Sequence, residues 1–195
     1  MKALKLIAVD LDGPLLVDTF GAILHKTCEY YNWEYSRDFE RNTLSRSREQ
    51  ATRYIKSMFS DDAPEDVGNK SEQEMAEAYF RFRAEFLKEN PLTVQPGADR
   101  FLQDIAAHPD VTLVCYGGLD ENYMRKELGP LADYFDRYVC TNDFRPGVRE
   151  IVEDIYAIDP TEALFIDDVN YVGEAVRDLG ACFIGVPSSA FWSWQ

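Results

Sequence analysis

A chain of 195 residues, 46% of them apolar, has enough material for one buried core or for a core that carries an insert. Its formal charge of −15 repels polyanions, which argues against nucleic acid as a partner and obliges any anionic substrate to meet a cation or a few placed bases. No run approaches the ~20 apolar residues of a membrane span, so no membrane partner is expected.

In chain order, the first apolar run covers residues 4–9. It is short, ends in acids and lacks a small-residue cleavage site, which predicts a buried parallel strand rather than a leader. Residues 19 to about 90 carry helical periodicity alone. Phe20, Leu24, Thr27, Cys28 and Tyr31 form one stripe. Met75, Tyr79, Phe82 and Phe86 form another, behind a capping-box pattern at Ser71 and Glu74. The stripes predict the core of a small helical bundle in preference to a substrate pocket. Between them, Ser60-Asp61-Asp62-Ala63-Pro64 reads as a loop. From about residue 98, strands and helices alternate. Strands are expected over 111–115, 138–140, 163–166 and 182–186. Helices are expected near 121–128, from Pro146 through Ile155, and up to Leu179, with Gly180 as a left-handed cap. This order predicts an α/β fold, a Rossmann-like parallel sheet wrapped by helices. Four cysteines (Cys28, Cys115, Cys140, Cys182) without a Cys-x-x-Cys pair read as reduced thiols of a cytoplasmic protein. Two histidines, His25 and His108, are too few for a zinc cluster.

Ligands of such sheets sit beyond the carboxyl ends of the strands, so residues directly after strands carry the functional expectation. After the first strand comes Asp10-Leu11-Asp12-Gly13; after a later one, Asp167-Asp168. Four carboxylates at one sheet edge repel each other unless a cation lies among them. Oxygen ligands with open positions suit Mg²⁺ completed by water and phosphate. The one-residue spacing of Asp10 and Asp12 lets both face the ligand while Leu11 turns away. One carboxylate can then attack phosphorus while the other moves a proton. Gly13 permits the sharp exit. Cys115-Tyr116-Gly117-Gly118 and Arg145-Pro146 follow two further strands and are candidates for holding an anion.

Three segments together resemble the haloacid-dehalogenase-like superfamily across nearly the whole chain. Val9 to Asp18 resembles its first motif, Leu164 to Asp168 with Glu174 to Gly180 resembles its last, and Thr93 to Ala98 resembles the re-entry before the second. The likeness is to the phosphoglycolate phosphatase and β-phosphoglucomutase-like subgroup. It implies a core of residues 1–16 and 93–195 and a helical cap of residues 17–92. It implies that Asp10 is the nucleophile, forming an aspartyl-phosphate, and that Asp12 is the general acid and base. Mg²⁺ would be held by Asp10, the Asp12 backbone carbonyl, Asp168 and Asp167. The acid at Asp12 favours phosphoryl transfer over carbon–halogen cleavage. The expected activity is a Mg²⁺-dependent phosphatase acting on a small phosphorylated metabolite. A phosphomutase and a non-catalytic binding protein are the alternatives.

Departures from the family pattern fall at four places. Pro14 replaces the usual Thr or Val. The second motif offers Cys115, Tyr116 and Gly117 as phosphate-binding residues where a Ser or Thr is usual. Arg145 stands for the usual Lys, keeping charge and adding a bidentate grip. Val172 replaces a further Asp or Asn, with Asn170 nearby as a substitute. Of Arg37, Arg41, Arg46, Arg48 and Arg53, one or two are expected to meet the substrate and the rest to lie on solvated faces. The aromatic tail, Phe191 to Trp194, is expected to pack on the core.

Overall fold

The computed structural model describes residues 3–59, 71–187 and 190. The loop expected at Ser60–Pro64 and the aromatic tail at Phe191–Trp194 lie outside the described residues. At the centre is a parallel sheet of β1 (Leu6–Asp10), β2 (Thr112–Gly117), β3 (Arg137–Cys140), β4 (Ala163–Asp167) and β5 (Cys182–Gly185), in the order β3-β2-β1-β4-β5. All four later strands fall within two residues of their expected bounds. Strand β1 is flanked on both sides, which is why its Leu-Ile-Ala-Val run is apolar without alternation.

Side-chain alternation along β1 and β2 feeds two cores. Ile7, Val9, Leu113 and Cys115 pack on one face with Leu102, Met124 and Leu128. Leu6, Ala8, Val114 and Tyr116 pack on the other with Ile151, Phe165, Val172 and Val176. Full burial of each large apolar side chain contributes about 1.5–3 kcal/mol. Four helical segments cover the sheet: α5 (Ala98–Ala106), α6 (Glu121–Leu128), a π-helical segment over Glu150–Ile155, and α7 (Asn170–Leu179). Gly180 ends α7 in the left-handed conformation, as expected from its position.

Helices α1 (Phe20–Tyr31), α2 (Arg37–Thr43), α3 (Arg48–Ser57) and α4 (Glu72–Glu89) lie in sequence between β1 and α5. Helices α3 and α4 each begin with a reciprocal capping box, Ser47 with Gln50 and Ser71 with Glu74. The chain leaves and re-enters the sheet layer through a paired crossing. Val17 N–H donates to Thr93 O at 2.9 Å, Gln95 N–H donates to Leu15 O at 2.8 Å, and Leu16 faces Val94 antiparallel. Leu24, Cys28 and Phe39 form a small separate core, with Tyr54 and Tyr79 against it.

Candidate active site

The ends of β1 and β4 lie side by side, so adjacency in the sheet brings their terminal acids together. One carboxylate oxygen from each of Asp10, Asp167 and Asp168 lies within 4.8 Å of the other two. After Asp10 the backbone closes a tight loop: Leu16 N–H donates to Leu11 O at 2.9 Å, and Gly13 N–H donates to Leu16 O at 2.8 Å. Gly13 has a φ of +107°, and a Cβ there would stand 2.3 Å from Asp168 Oδ2. Glycine is therefore needed for the turn and for the close approach of the carboxylate. Gln95, on the re-entering strand, ties down this loop by donating from Nε2 to Gly13 O at 2.8 Å.

Asp167 and Asp168 are buried and Asp10 half-buried, so charge at the three acids is poorly solvated. Burial raises Asp10 well above the ordinary aspartate range, the Asp167 and Asp12 charges raise it further, and Arg145 opposes them. Asp168 is likewise raised well above that range, by burial and then by Asp167, Asp18 and Asp10. Asp167 rises to about 6, chiefly through burial. It is held down by the Tyr116 hydroxyl, which donates to Oδ2 at 2.5 Å, and by Val169 N–H, which donates to Oδ1 at 2.7 Å. Burial and Asp167 in turn raise Tyr116 well above the usual phenol range, so it stays the donor. A cluster of hard oxygens whose charges are mutually penalised fits a divalent cation such as Mg²⁺.

Asp12 is held apart from this cluster. Tyr123 Oη, from α6, donates to Asp12 Oδ1 at 3.0 Å. Arg83, from α4, donates from Nη2 to Tyr123 Oη at 2.8 Å and from Nε to Thr19 Oγ1 at 3.0 Å. Arg83 is only 6% exposed, and its guanidinium lies 4.1 Å from the Phe20 ring centroid. Burial and the Asp18 charge raise Asp12 to about 7, against the opposing pull of Arg83, Tyr123 and Arg145. Asp18 accepts from Phe20 N–H at 2.8 Å and from Gly21 N–H at 3.1 Å, at the start of α1. Arg83, Tyr123 and Asp18 went unassigned in the sequence reading. The available signal was an arginine four residues after Tyr79, on the apolar face of α4.

The second-motif candidates are placed differently from expectation. Strand alternation turns the Cys115 thiol into the core with Val9 and Leu113, so it is not presented to the site. Tyr116 points to the other face and engages Asp167. Gly117 is buried, and its carbonyl accepts from Thr141 N–H at 2.8 Å. None of these three lines the cavity above the acids; Gly118 and Leu119 do. Arg145 does reach it. Its Nη1 donates to Leu44 O at 2.8 Å, and a Cβ on Gly118 would fall 1.7 Å from its Nη2. The missing side chain at Gly118 is what lets the guanidinium lie beside Asp10. Asn170 is exposed and lies outside the cavity lining. Among the arginines of residues 37–53, Arg46 and Arg48 line the cavity, Arg37 and Arg41 face Glu174, and Arg53 pairs with Glu49.

The cavity measures about 520 Å³. Asp10, Asp12, Asp18 and Asp168 form part of its lining, and residues of all four helices α1–α4 contribute to the rest. Here the expectation of a plain helical-bundle core needs correction. Leu24, Cys28 and Tyr79 do pack around Phe39, yet Phe20, Tyr31, Met75, Tyr79 and Phe82 line the cavity.

No family model and no curated protein matches the sequence. Solved structures do match. CbbY from Rhodobacter sphaeroides in complex with phosphate aligns with a TM-score of 0.66 at 17% identity, over 98% of this chain and 89% of its own. A β-phosphoglucomutase from Clostridium difficile aligns at 0.64 and 16% identity, over 93% and 84%. A haloacid dehalogenase-like hydrolase from Streptococcus pneumoniae aligns at 0.58 and 16% identity, over 95% and 85%. The chain therefore has the fold of haloacid-dehalogenase-like hydrolases, in the form that includes the β-phosphoglucomutases. At these identities the likeness is one of fold, and the chemistry is argued from the site.

Proposed function

We propose that this chain is a Mg²⁺-dependent phosphatase that hydrolyses a small phosphorylated metabolite through an aspartyl-phosphate on Asp10. The observation that carries the reading is the convergence of Asp10, Asp167 and Asp168, with Asp12 held aside by Tyr123. The arrangement separates two carboxylate roles by environment. Asp10, Asp168, Asp167 and the Asp12 backbone carbonyl would hold the metal, which would offset the negative charge of acids and substrate. An Asp10 oxygen attacks phosphorus, the bond from phosphorus to the ester oxygen breaks, and protonated Asp12 gives its proton to the departing alkoxide. Water then attacks the phosphorus of the aspartyl-phosphate, Asp12 takes up its proton, and Asp10 and inorganic phosphate are released. A carboxyl titrating at about 7 serves both directions at neutral pH. Arg145 grips the phosphoryl oxygens, aided by the backbone N–H of Gly118, which lines the cavity.

In the same reading, residues 1–16 and 93–195 form the catalytic core and residues 17–92 a cap over it. The paired crossing of residues 15–17 with 93–95 supports that division. Four unpaired thiols support a cytoplasmic setting. Among the described residues no helix is long and apolar enough to cross a membrane.

The test is release of phosphate from p-nitrophenyl phosphate. Turnover is expected to require Mg²⁺ and to fall at least ~10³-fold in Asp10→Asn. Full activity in that variant, or in excess chelator, contradicts the reading. A phosphomutase shares the nucleophile, and the β-phosphoglucomutase among the similar folds keeps it in view. Free phosphate rather than an isomerised ester distinguishes the phosphatase.

A further inference from the structure

The cavity above the carboxylates has walls poorly suited to a polyhydroxylated substrate. Phe20 and Leu24 of α1, Ile55 and Phe59 at the end of α3, and Tyr79 and Phe80 of α4 face into it. Four hydroxyls in the same walls already donate within the protein. Thr27 donates to Ile23 O at 2.9 Å, Thr43 to Phe39 O at 2.8 Å, Thr52 to Arg48 O at 2.8 Å and Tyr79 to Phe20 O at 3.3 Å. A sugar placed here would find these hydroxyls only as acceptors, so its own oxygens would lose water donors that these groups do not replace. Two of the lining cations are turned to rings: Lys26 Nζ lies 4.7 Å from the Phe86 centroid, and the Arg48 guanidinium 4.8 Å from that of Phe80.

The exposed apolar surface points the same way. Tyr30 is 82% exposed and Phe82 55%, and both belong to the cavity lining. Apolar side chains gathered around one opening mark a surface that a ligand covers. A volume of about 520 Å³ leaves room for a ring and its linker beside the phosphate.

We propose that the substrate is the phosphate monoester of an apolar, ring-bearing alcohol, with its ring seated between α1, α3 and α4 and its phosphate over Asp10. This rests on the phosphatase reading and adds the chemical class of the leaving group. At the acid end Arg145 lines the cavity, while Lys26 and Arg48 on the helices are turned to rings. Recognition divides accordingly: charge selects the phosphate, and burial of the ring selects the alcohol.

The experiment compares primary alkyl esters of similar leaving-group reactivity with Mg²⁺-loaded protein: 3-phenylpropyl phosphate, glycerol 3-phosphate and glucose 6-phosphate. The expected result is a kcat/KM at least ~10-fold higher for the phenylpropyl ester, carried mainly by a lower KM. Ala51→Phe and Ala76→Phe fill the cavity from α3 and α4 and should each bring that ratio close to one. Because a ratio is read, partial loss of folded protein does not alter it. Binding of the product alcohol, 3-phenylpropan-1-ol, is measured separately by calorimetry and should be weakened in both variants. Turnover of the polyol esters equal to or better than the phenylpropyl ester overturns the substrate class while leaving the phosphatase reading intact. Absence of turnover for every ester, with the alcohol still bound in an Ala51-dependent way, overturns the phosphatase reading and supports the cavity assignment. Failure of the alcohol to bind overturns the proposal.

Discussion

The sheet and the helical insert use the same kind of apolar residue for different ends. In the sheet, Ala8, Val9, Val114, Cys115 and Phe165 are fully enclosed, and the strands they occupy hold the acids at fixed separations. In α4, with 18 residues, Arg83 is the one buried residue among those whose side chains are described, while Met75, Tyr79, Phe80 and Phe82 remain partly open toward the cavity. Helix α4 thus has its polarity partly inverted: a cation goes inside and rings stay accessible. Among the described residues, polar contacts tie the insert to the sheet layer. Arg145 reaches Leu44 O, Arg83 reaches Tyr123, and Arg37 meets Glu174. Apolar packing builds the platform under the acids, and a polar seam joins the cavity wall to it.

Truncations in the two regions sharpen that contrast. Phe165→Ala, beneath the acids and edge-on to the Tyr116 ring, should cost about 3–5 kcal/mol of unfolding free energy. Denaturant melts read this directly, and a loss below ~1 kcal/mol would show that the sheet core is not the stability platform. Tyr123→Phe acts at the seam. It removes the hydrogen bond that favours ionised Asp12 and leaves Arg83 with one fewer partner. A drop of about 10-fold in kcat is expected, equivalent to ~1.4 kcal/mol, with KM little changed. Since the lost bond held the Asp12 pKa down, the alkaline limb of the pH–rate profile should move to higher pH. An unchanged profile would reduce Tyr123 to a packing residue. Phe82→Ala, on the cavity side of α4, should change stability by no more than about 0.5 kcal/mol, because the ring is 55% exposed. A loss near that of Phe165→Ala would erase the distinction between the two regions.

Much of the platform was legible in the sequence because it rests on local signals. Apolar runs marked the strands, Ser71 with Glu74 marked the start of α4, and Gly180 marked the end of α7. Asp10, Asp167 and Asp168 were legible as a set because residues ending adjacent parallel strands meet at one edge. Strand parity was harder to read. Whether Cys115 or a neighbour faces the ligand depends on register, and here the thiol belongs to the core while Gly118, past the strand end, lies under Arg145. The Arg83–Tyr123–Asp12 chain had one faint local signal, an arginine on the apolar face of α4, and none that named its partners. It joins residues 40 and 111 positions apart, brought together only when α4 settles beside α6. The cavity was hidden for a related reason: a stripe at helical spacing looks the same whether it meets another helix or an opening.

The central claim is that the raised acids exist to hold a divalent cation, and thermal unfolding across pH with and without Mg²⁺ tests it most directly. Asp12 at about 7 and Asp167 at about 6 lie above the ~3.9 of an unfolded chain, so the folded state binds more protons in this range. Stability of metal-free protein should therefore fall as pH rises above ~4, by up to ~1.4 kcal/mol per pH unit for each such group, levelling off near pH 6 for Asp167 and near pH 7 for Asp12. Millimolar Mg²⁺ should raise the melting temperature at pH 8 and flatten this dependence, and Asp168→Asn should abolish the metal effect. A melting temperature indifferent to Mg²⁺ at pH 8, with or without a phosphate analogue, would contradict the account.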